Sequence, residues 1–339
     1  MEAILYEPLK NQTVQCYLCS HRCVVADGHR GKCGVRENQG GKFTTLVYGR
    51  LIASHADPIE KKPFFHFMPG SQSYSIATVG CNFSCRFCQN ANISQMPVDQ
   101  NGRIAGTAYE AKTVVAEALQ TGCRSIAYTY TEPTVFFEFA LDTAMLARES
   151  GLRNVFVTNG YMTPEALDKI HPFLDAANVD LKGFTDSFYR DICGASLKPV
   201  KKTLVLMKSK GIHLEITTLL IPGLNDDPVH LSEMAAFIVS DLGADTPWHI
   251  SRFHPTYQLT DRPSTPVSTL KNAREIGIEA GIHYVYTGNI PGDMGENTYC
   301  SQCGKLLIER WGFTVQQNRI RNGSCAYCNI QIPGVEMSG

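Results

Sequence analysis

The sequence predicts an α/β protein with a parallel sheet and a metal-binding segment at each end. Between about residue 74 and residue 290, short β-rich runs alternate with helical patterns, and repeated strand-then-helix units imply parallel strands. All 13 cysteines except Cys123 and Cys193 fall into three groups, near the N-terminus, after the first strand and near the C-terminus. The expected strands run from Ser75 to Val79, Ser125 to Tyr130, Asn154 to Thr158, Ala177 to Leu181, His213 to Ile221, Trp248 to Phe253 and His283 to Thr287. Leu231, Met234, Ala235, Ile238, Val239 and Leu242 make a one-sided helical stripe. Thr163-Pro164-Glu165 and Thr265-Pro266 read as helix starts, each with a capping hydroxyl before a proline. Six or seven such units can close partly into a (β/α) barrel or form an open doubly wound sheet, and periodicity does not choose between them.

Composition narrows the function classes. The 339 residues include 31 basic and 32 acidic side chains, so no global positive field drives nucleic-acid binding. No run of 18 apolar residues is present, and Met1-Glu-Ala-Ile-Leu-Tyr-Glu7 lacks the basic and apolar regions of a secretion signal. A cytoplasmic protein with reduced thiols, no membrane partner and a low-oxygen cell is the expectation.

Cys81, Cys85 and Cys88, spaced CX3CX2C after the first strand, carry the chemistry. Three thiolates so close can face one metal centre, and a [4Fe-4S] cube held by three leaves one iron open to a ligand. Gly80 lets the backbone turn closely there. Cys16, Cys19, Cys23 and Cys33 form a complete four-thiolate set, with turn residues Asp27-Gly28 and Gly31 inside it. This set suits either zinc or an auxiliary [4Fe-4S] cluster. Cys300, Cys303, Cys325 and Cys328 form two CX2C knuckles 21 residues apart around a β-like stretch from Leu306 to Val315. That is the layout of a zinc-ribbon or rubredoxin-like module, with structural zinc expected first and iron second. So small a module needs metal for much of its stability. Arg310, Arg319 and Arg321 read as a solvated basic face. Cys123 and Cys193 read as core or loop thiols.

The CX3CXΦC pattern, with Phe87 before the last cysteine, resembles the signature of the radical S-adenosylmethionine (SAM) superfamily. The resemblance implies a partial barrel, a [4Fe-4S] cluster whose open iron chelates SAM, and one-electron cleavage to a 5'-deoxyadenosyl radical. Thr129-Tyr-Thr-Glu-Pro133 resembles the Gly-Gly-Glu-Pro segment that holds the SAM amino group, without its glycines, and so implicates Thr131 and Glu132. Val157-Thr-Asn-Gly160 and Val179-Asp-Leu-Lys182 are similar to segments of glycyl-radical-enzyme activases such as pyruvate formate-lyase activating enzyme. On that likeness Asn159, Asp180 and Lys182 lie near SAM, with Val157 in place of an aspartate thought to help bind a monovalent cation. Ile221-Pro-Gly-Leu-Asn-Asp226 also resembles the activases, but Glu215 and Thr217 stand on the preceding strand, where the likeness leads one to expect an arginine. His254 is implied as a substrate-site residue, and Thr287 as an adenosine contact.

Cys16-Tyr-Leu-Cys19-Ser-His-Arg-Cys23, Asp57-Pro-Ile-Glu-Lys-Lys-Pro63, Cys88-Gln-Asn90, Ile93-Ser-Gln95, Thr129 to Pro133 and Asn297-Thr-Tyr-Cys300 together resemble the radical SAM enzymes of the three-component AmmeMemoRadiSam system. The resemblance implies Memo-like and AMMECR-like partners. The electron donor is expected to be a flavodoxin or ferredoxin, and nucleic acid is not expected as a partner. The organisation anticipated is a four-cysteine extension and linker (1–70), the barrel (71–292) and the zinc-ribbon-like module (293–339). The leading function is hydrogen abstraction from a small molecule, peptide or partner protein. A glycyl-radical activase and a non-enzymatic metal-binding scaffold are the alternatives.

Overall fold

The computed structural model describes residues 1–290 and 292–338, so Pro291, beside the anticipated 292/293 boundary, lies outside the described residues. Its centre is an eight-stranded sheet whose strands are β1 (Ala53–Pro58), β2 (Gln72–Ala77), β3 (Ser125–Tyr128), β4 (Arg153–Thr158), β5 (Ala176–Asp180), β6 (His213–Leu220), β7 (Trp248–Arg252) and β8 (Val285–Gly288). Each strand pairs with the next in sequence, parallel from β2 to β8 and antiparallel between β1 and β2. The longest helix of each connection between parallel strands is, in order, α1 (Ala111–Gln120), α2 (Phe137–Glu149), α3 (Pro164–Ile170), α4 (Leu197–Ser209), α5 (Pro228–Phe237) and α6 (Val267–Glu279).

Strictly sequential order excludes the doubly wound arrangement, which reverses direction at a switch point. Val157 on β4, Thr217 on β6, His249 on β7 and Thr287 on β8 line one cavity, so the sheet curls around its inner face. Among the described residues no ladder joins β8 to β1, which leaves a partial barrel. All seven strands read from the sequence are present. Residues 53–58, placed with the N-terminal extension, instead form β1 of the central sheet.

Thr163 caps α3 as expected, accepting from Ala166 N at 3.2 Å. Thr265 does not cap α6. Its hydroxyl donates to Leu220 O at 2.6 Å and accepts from Phe253 N at 3.0 Å, tying the ends of β6 and β7 together. The stripe from Leu231 to Leu242 is helical, with Val239 partly exposed and the other five positions buried.

The segment after β1 plugs the barrel's lower end. Ile59, Phe64, Phe67 and Met68 pack on Ala127, Val155 and Ala176, and the two alanines leave room for the rings. The C-terminal module has its own core of Leu307, Ile308, Ile320, Ile332 and Met337. It is fastened to the plug through backbone bonds between Val335 and both His66 and Met68, and through the buried Arg310. The Arg310 guanidinium lies 4.2 Å from the Phe65 ring centroid and donates to Phe65 O at 3.0 Å. His66 spans the open side, contacting Pro333 O and the Tyr286 hydroxyl on β8, each at 2.6 Å.

Candidate active site

A cavity of about 470 Å³ opens at the C-terminal ends of the strands, a size suited to a ligand of cofactor dimensions. Cys81, Cys85 and Cys88 line it from the loop leaving β2. The loop is fixed from behind at Gly80, whose φ of 100° favours glycine. A Cβ there would meet Val35 Cγ1 at 2.5 Å and Cys33 O at 3.1 Å. Cys81 Sγ accepts from Phe83 N at 3.4 Å, Ser94 Oγ lies 3.2 Å from Cys88 Sγ, and Cys193 O accepts from Ser84 N of the loop at 3.0 Å. Cys193 is thus buried against the cysteine loop, whereas Cys123 is buried beside Thr121, at the start of β3.

Several residues expected at the SAM site line the cavity, but some side chains have other work. Glu132 is buried and accepts from Thr134 N, Thr134 Oγ1, Thr158 Oγ1 and Asn159 N, at 2.5–3.0 Å. Its carboxylate therefore locks the β3 and β4 exits together, and burial pushes its pKa up against those bonds. Thr131 Oγ1 donates to Thr78 O at 2.8 Å, which ties the β3 exit to the cysteine loop. Asn159 Nδ2 donates to Asn82 Oδ1 at 2.7 Å and reaches Cys81 Sγ at 3.9 Å. Thr287 is occupied by Asp293 at 2.5 Å.

Asp180 and Lys182 are the charged pair of the site, 2.8 Å apart and partly exposed to the cavity. Lys182 Nζ also lies 5.7 Å from the Phe87 ring centroid. Burial opposes the Lys182 charge, but Asp180 and the neighbouring Cys85 and Cys193 outweigh it and raise the pKa well above the usual lysine value.

His254 is exposed, bonded to Ser264 Oγ at 3.0 Å, and does not line the cavity. The register of β7 turns His249 inward instead. His249 Nε2 lies 2.6 Å from Glu215 Oε2, and its ring stacks on Tyr286 at 5.1 Å. Glu215, on the strand where an arginine was expected, is fully buried and also accepts from Phe65 N and His66 N at 2.9 and 2.8 Å. It fixes the floor.

Lys62 on that floor was not singled out from the sequence. It is buried, 2.7 Å from Asp57 and 4.7 Å from the Tyr130 ring centroid. Burial lowers its pKa to about 8 against the pull of Asp57. Asp57 also binds Lys61 and the Tyr130 hydroxyl, and Tyr130 has a φ of 62°, its carbonyl accepting from Asn90. The signal available in sequence was the paired lysines of the Asp57 to Pro63 stretch.

The four C-terminal cysteine sulfurs all lie within 4.8 Å of one another, with Cys300–Cys328 at 3.6 Å and Cys303–Cys325 at 3.8 Å. Tetrahedral metal–sulfur bonds of 2.3 Å set ligand sulfurs about 3.8 Å apart, so this set fits a single zinc or iron ion.

Comparison with known proteins agrees with this geometry. The profile described as the radical SAM superfamily matches residues 75–235, spanning the cysteine loop and the strand ends from β3 to β6. An uncharacterised protein of Methanocaldococcus jannaschii is 47% identical over 333 residues, covering 98% of each chain. The chain belongs to the radical SAM superfamily. This radical SAM enzyme also shares its fold with Streptococcus suis SuiB bound to SAM, at a TM-score of 0.52 and 13% identity over 72% of this chain and 56% of the other. The (2S)-3-sulfopropanediol dehydratase activating enzyme of Klebsiella oxytoca is 22% identical over 112 residues, 33% of this chain and 35% of that one. Membership sets aside the non-enzymatic scaffold reading.

Proposed function

We propose that the protein binds SAM at a [4Fe-4S] cluster held by Cys81, Cys85 and Cys88 and directs hydrogen abstraction at a substrate nearer the cavity floor. The observation that carries this reading is the convergence of three thiols on one cavity lined from the strand ends to the plug. A cluster held by Cys81, Cys85 and Cys88 would supply one-electron reductive cleavage of SAM. Lys182, oriented by Asp180, attracts the SAM carboxylate. Glu132, Thr131 and Asn159 keep the loops in register. Phe83, Phe87 and Val157 exclude water, and Lys62 holds a proton or positive charge in the same cavity. Zinc at the C-terminal set, a flavodoxin or ferredoxin donor, cytoplasmic location and the AmmeMemoRadiSam partners belong to the same proposal. Among the described residues no helix is long and apolar enough to cross a membrane.

Anaerobically loaded, reduced protein is expected to form 5'-deoxyadenosine from SAM, and a Cys81→Ala, Cys85→Ala, Cys88→Ala variant to form none. Equal turnover by both would overturn the reading. The glycyl-radical activase alternative draws on the stretch shared with the Klebsiella activating enzyme, while Val157 and the four-cysteine ends weigh against it. An electron paramagnetic resonance doublet on a partner protein after incubation with SAM and reductant would favour that alternative.

A further inference from the structure

We propose that Cys16, Cys19, Cys23 and Cys33 hold a second [4Fe-4S] cluster, fully ligated by the four thiolates, which relays single electrons to the Cys81, Cys85 and Cys88 site. The chain contains its own calibration of cysteine spacing. The C-terminal sulfurs close to zinc-like distances, all within 4.8 Å, and no other set of three or more metal-ligating side chains among the described residues does so. Cys16, Cys19, Cys23 and Cys33 do not form such a single-ion group, and neither do Cys81, Cys85 and Cys88. A cube presents its thiolates from separate irons and takes a wider frame than a single ion does.

The frame is held from outside. Cys16 pairs with Tyr6 in a short antiparallel sheet and its N–H donates to Cys23 O at 2.9 Å, while Cys19 bridges to Met162 of the barrel. The four cysteines line one small apolar cavity that also receives Arg36. Arg36 is 1% exposed and pairs with Glu138 at 2.5 Å, yet its Nε–H has no partner. A buried cation with a free N–H suits an anionic cluster whose sulfurs accept hydrogen bonds.

The same segment abuts the other cysteine loop. Cys33 O lies against Gly80, His21 Nε2 is 2.7 Å from Asn82 O, and Lys32 Nζ donates to Gly194 O at 2.9 Å. Thr134 and Val135 line the N-terminal cavity, while Glu132, two residues earlier, lines the central one. In each transfer the N-terminal cluster would lose one electron and the cluster at Cys81, Cys85 and Cys88 would gain it. A low-potential one-electron donor of the reduced-flavin or ferredoxin class replaces it.

The relay rests on the proposed cluster at Cys81, Cys85 and Cys88, and acid-labile sulfide separates the two claims because neither zinc nor a lone iron carries any. Anaerobically loaded wild type is expected to hold about eight sulfides per chain, and the Cys81→Ala, Cys85→Ala, Cys88→Ala variant about four, on cubane stoichiometry. The variant should keep a reduced-cluster paramagnetic signal that SAM does not alter. Wild type with about four sulfides, and a variant with none, would overturn the proposal whatever the fate of SAM cleavage. If the variant fails to fold, the wild-type count decides. In Cys16→Ser, Cys19→Ser protein, reduction of the remaining cluster should slow with a protein donor but not with dithionite, and unchanged rates with both would overturn the relay.

Discussion

Glu215→Gln tests whether one buried carboxylate fixes the floor of the active site. Each carboxylate oxygen serves a backbone N–H and a histidine: Oε1 takes His66 N at 2.8 Å and His213 Nε2 at 3.1 Å, and Oε2 takes Phe65 N at 2.9 Å and His249 Nε2 at 2.6 Å. Glutamine keeps the shape but replaces one oxygen with an NH2 group, so in either orientation a backbone N–H meets a donor. The histidine can answer by changing tautomer; the backbone cannot. Hydrogen bonds to charged groups contribute about 1.5–3 kcal/mol and a stranded buried donor costs about 1–3 kcal/mol, so we expect a loss of about 3–5 kcal/mol. Urea unfolding at fixed metal loading measures it, and amide exchange at Phe65 and His66 should accelerate. A change under about 1 kcal/mol, within the range of an ordinary surface substitution and with exchange unaltered, would refute the role. The pH dependence has a definite sign. Burial opposes the Glu215 charge, but His213 and His249 outweigh it and depress the pKa far below the usual carboxylate range. The unfolded chain then binds more protons as pH falls below about 4.3, so this contribution is complete at neutral pH and is lost only in strong acid.

Lys62→Met should leave SAM cleavage in place but uncouple it, giving 5'-deoxyadenosine without substrate-derived product; coupled turnover would refute a role for Lys62. Because its folded pKa is depressed to about 8, wild type should gain stability as pH rises from there towards the unfolded value, and the variant should not, in chemical unfolding followed across that window. Lys182→Met should weaken SAM binding to loaded protein by about tenfold or more, the equivalent of one charge-assisted bond, by isothermal titration. Gly80→Ala should cost about 1–3 kcal/mol by overpacking against Val35 and lower acid-labile sulfide together with the thermal midpoint. Removing metal from the C-terminal set should expose residues 298–337 to rapid amide exchange while β2 to β8 stay protected, and uniform protection would contradict a metal-dependent module.

The strands, the helix start at Thr163 and the three cysteine groups were legible because their signals are local: alternating β-branched runs, a hydroxyl before proline, and thiols a few residues apart. Distant partners hid the rest. Thr265 has the look of a cap, but the ends of β6 and β7 claim its hydroxyl. His254 sits in a familiar context at a strand end, yet the inward direction along β7 belongs to His249. Glu215 gains its meaning from a plug about 150 positions earlier in the chain.

By itself the sequence determined the α/β order of elements, the cysteine loop and the resemblance to radical SAM proteins, since spacing along the chain suffices to bring three thiols to one centre. Only the tertiary structure decided that the sheet curls around a cavity, that residues 53–58 join it, that Glu132 is spent on bracing loops and that Lys62 faces the site. It also drew the C-terminal four-cysteine set to single-ion distances. Those facts depend on which side chains meet across the fold, and the curl of the sheet fixes that rather than any local run of residues.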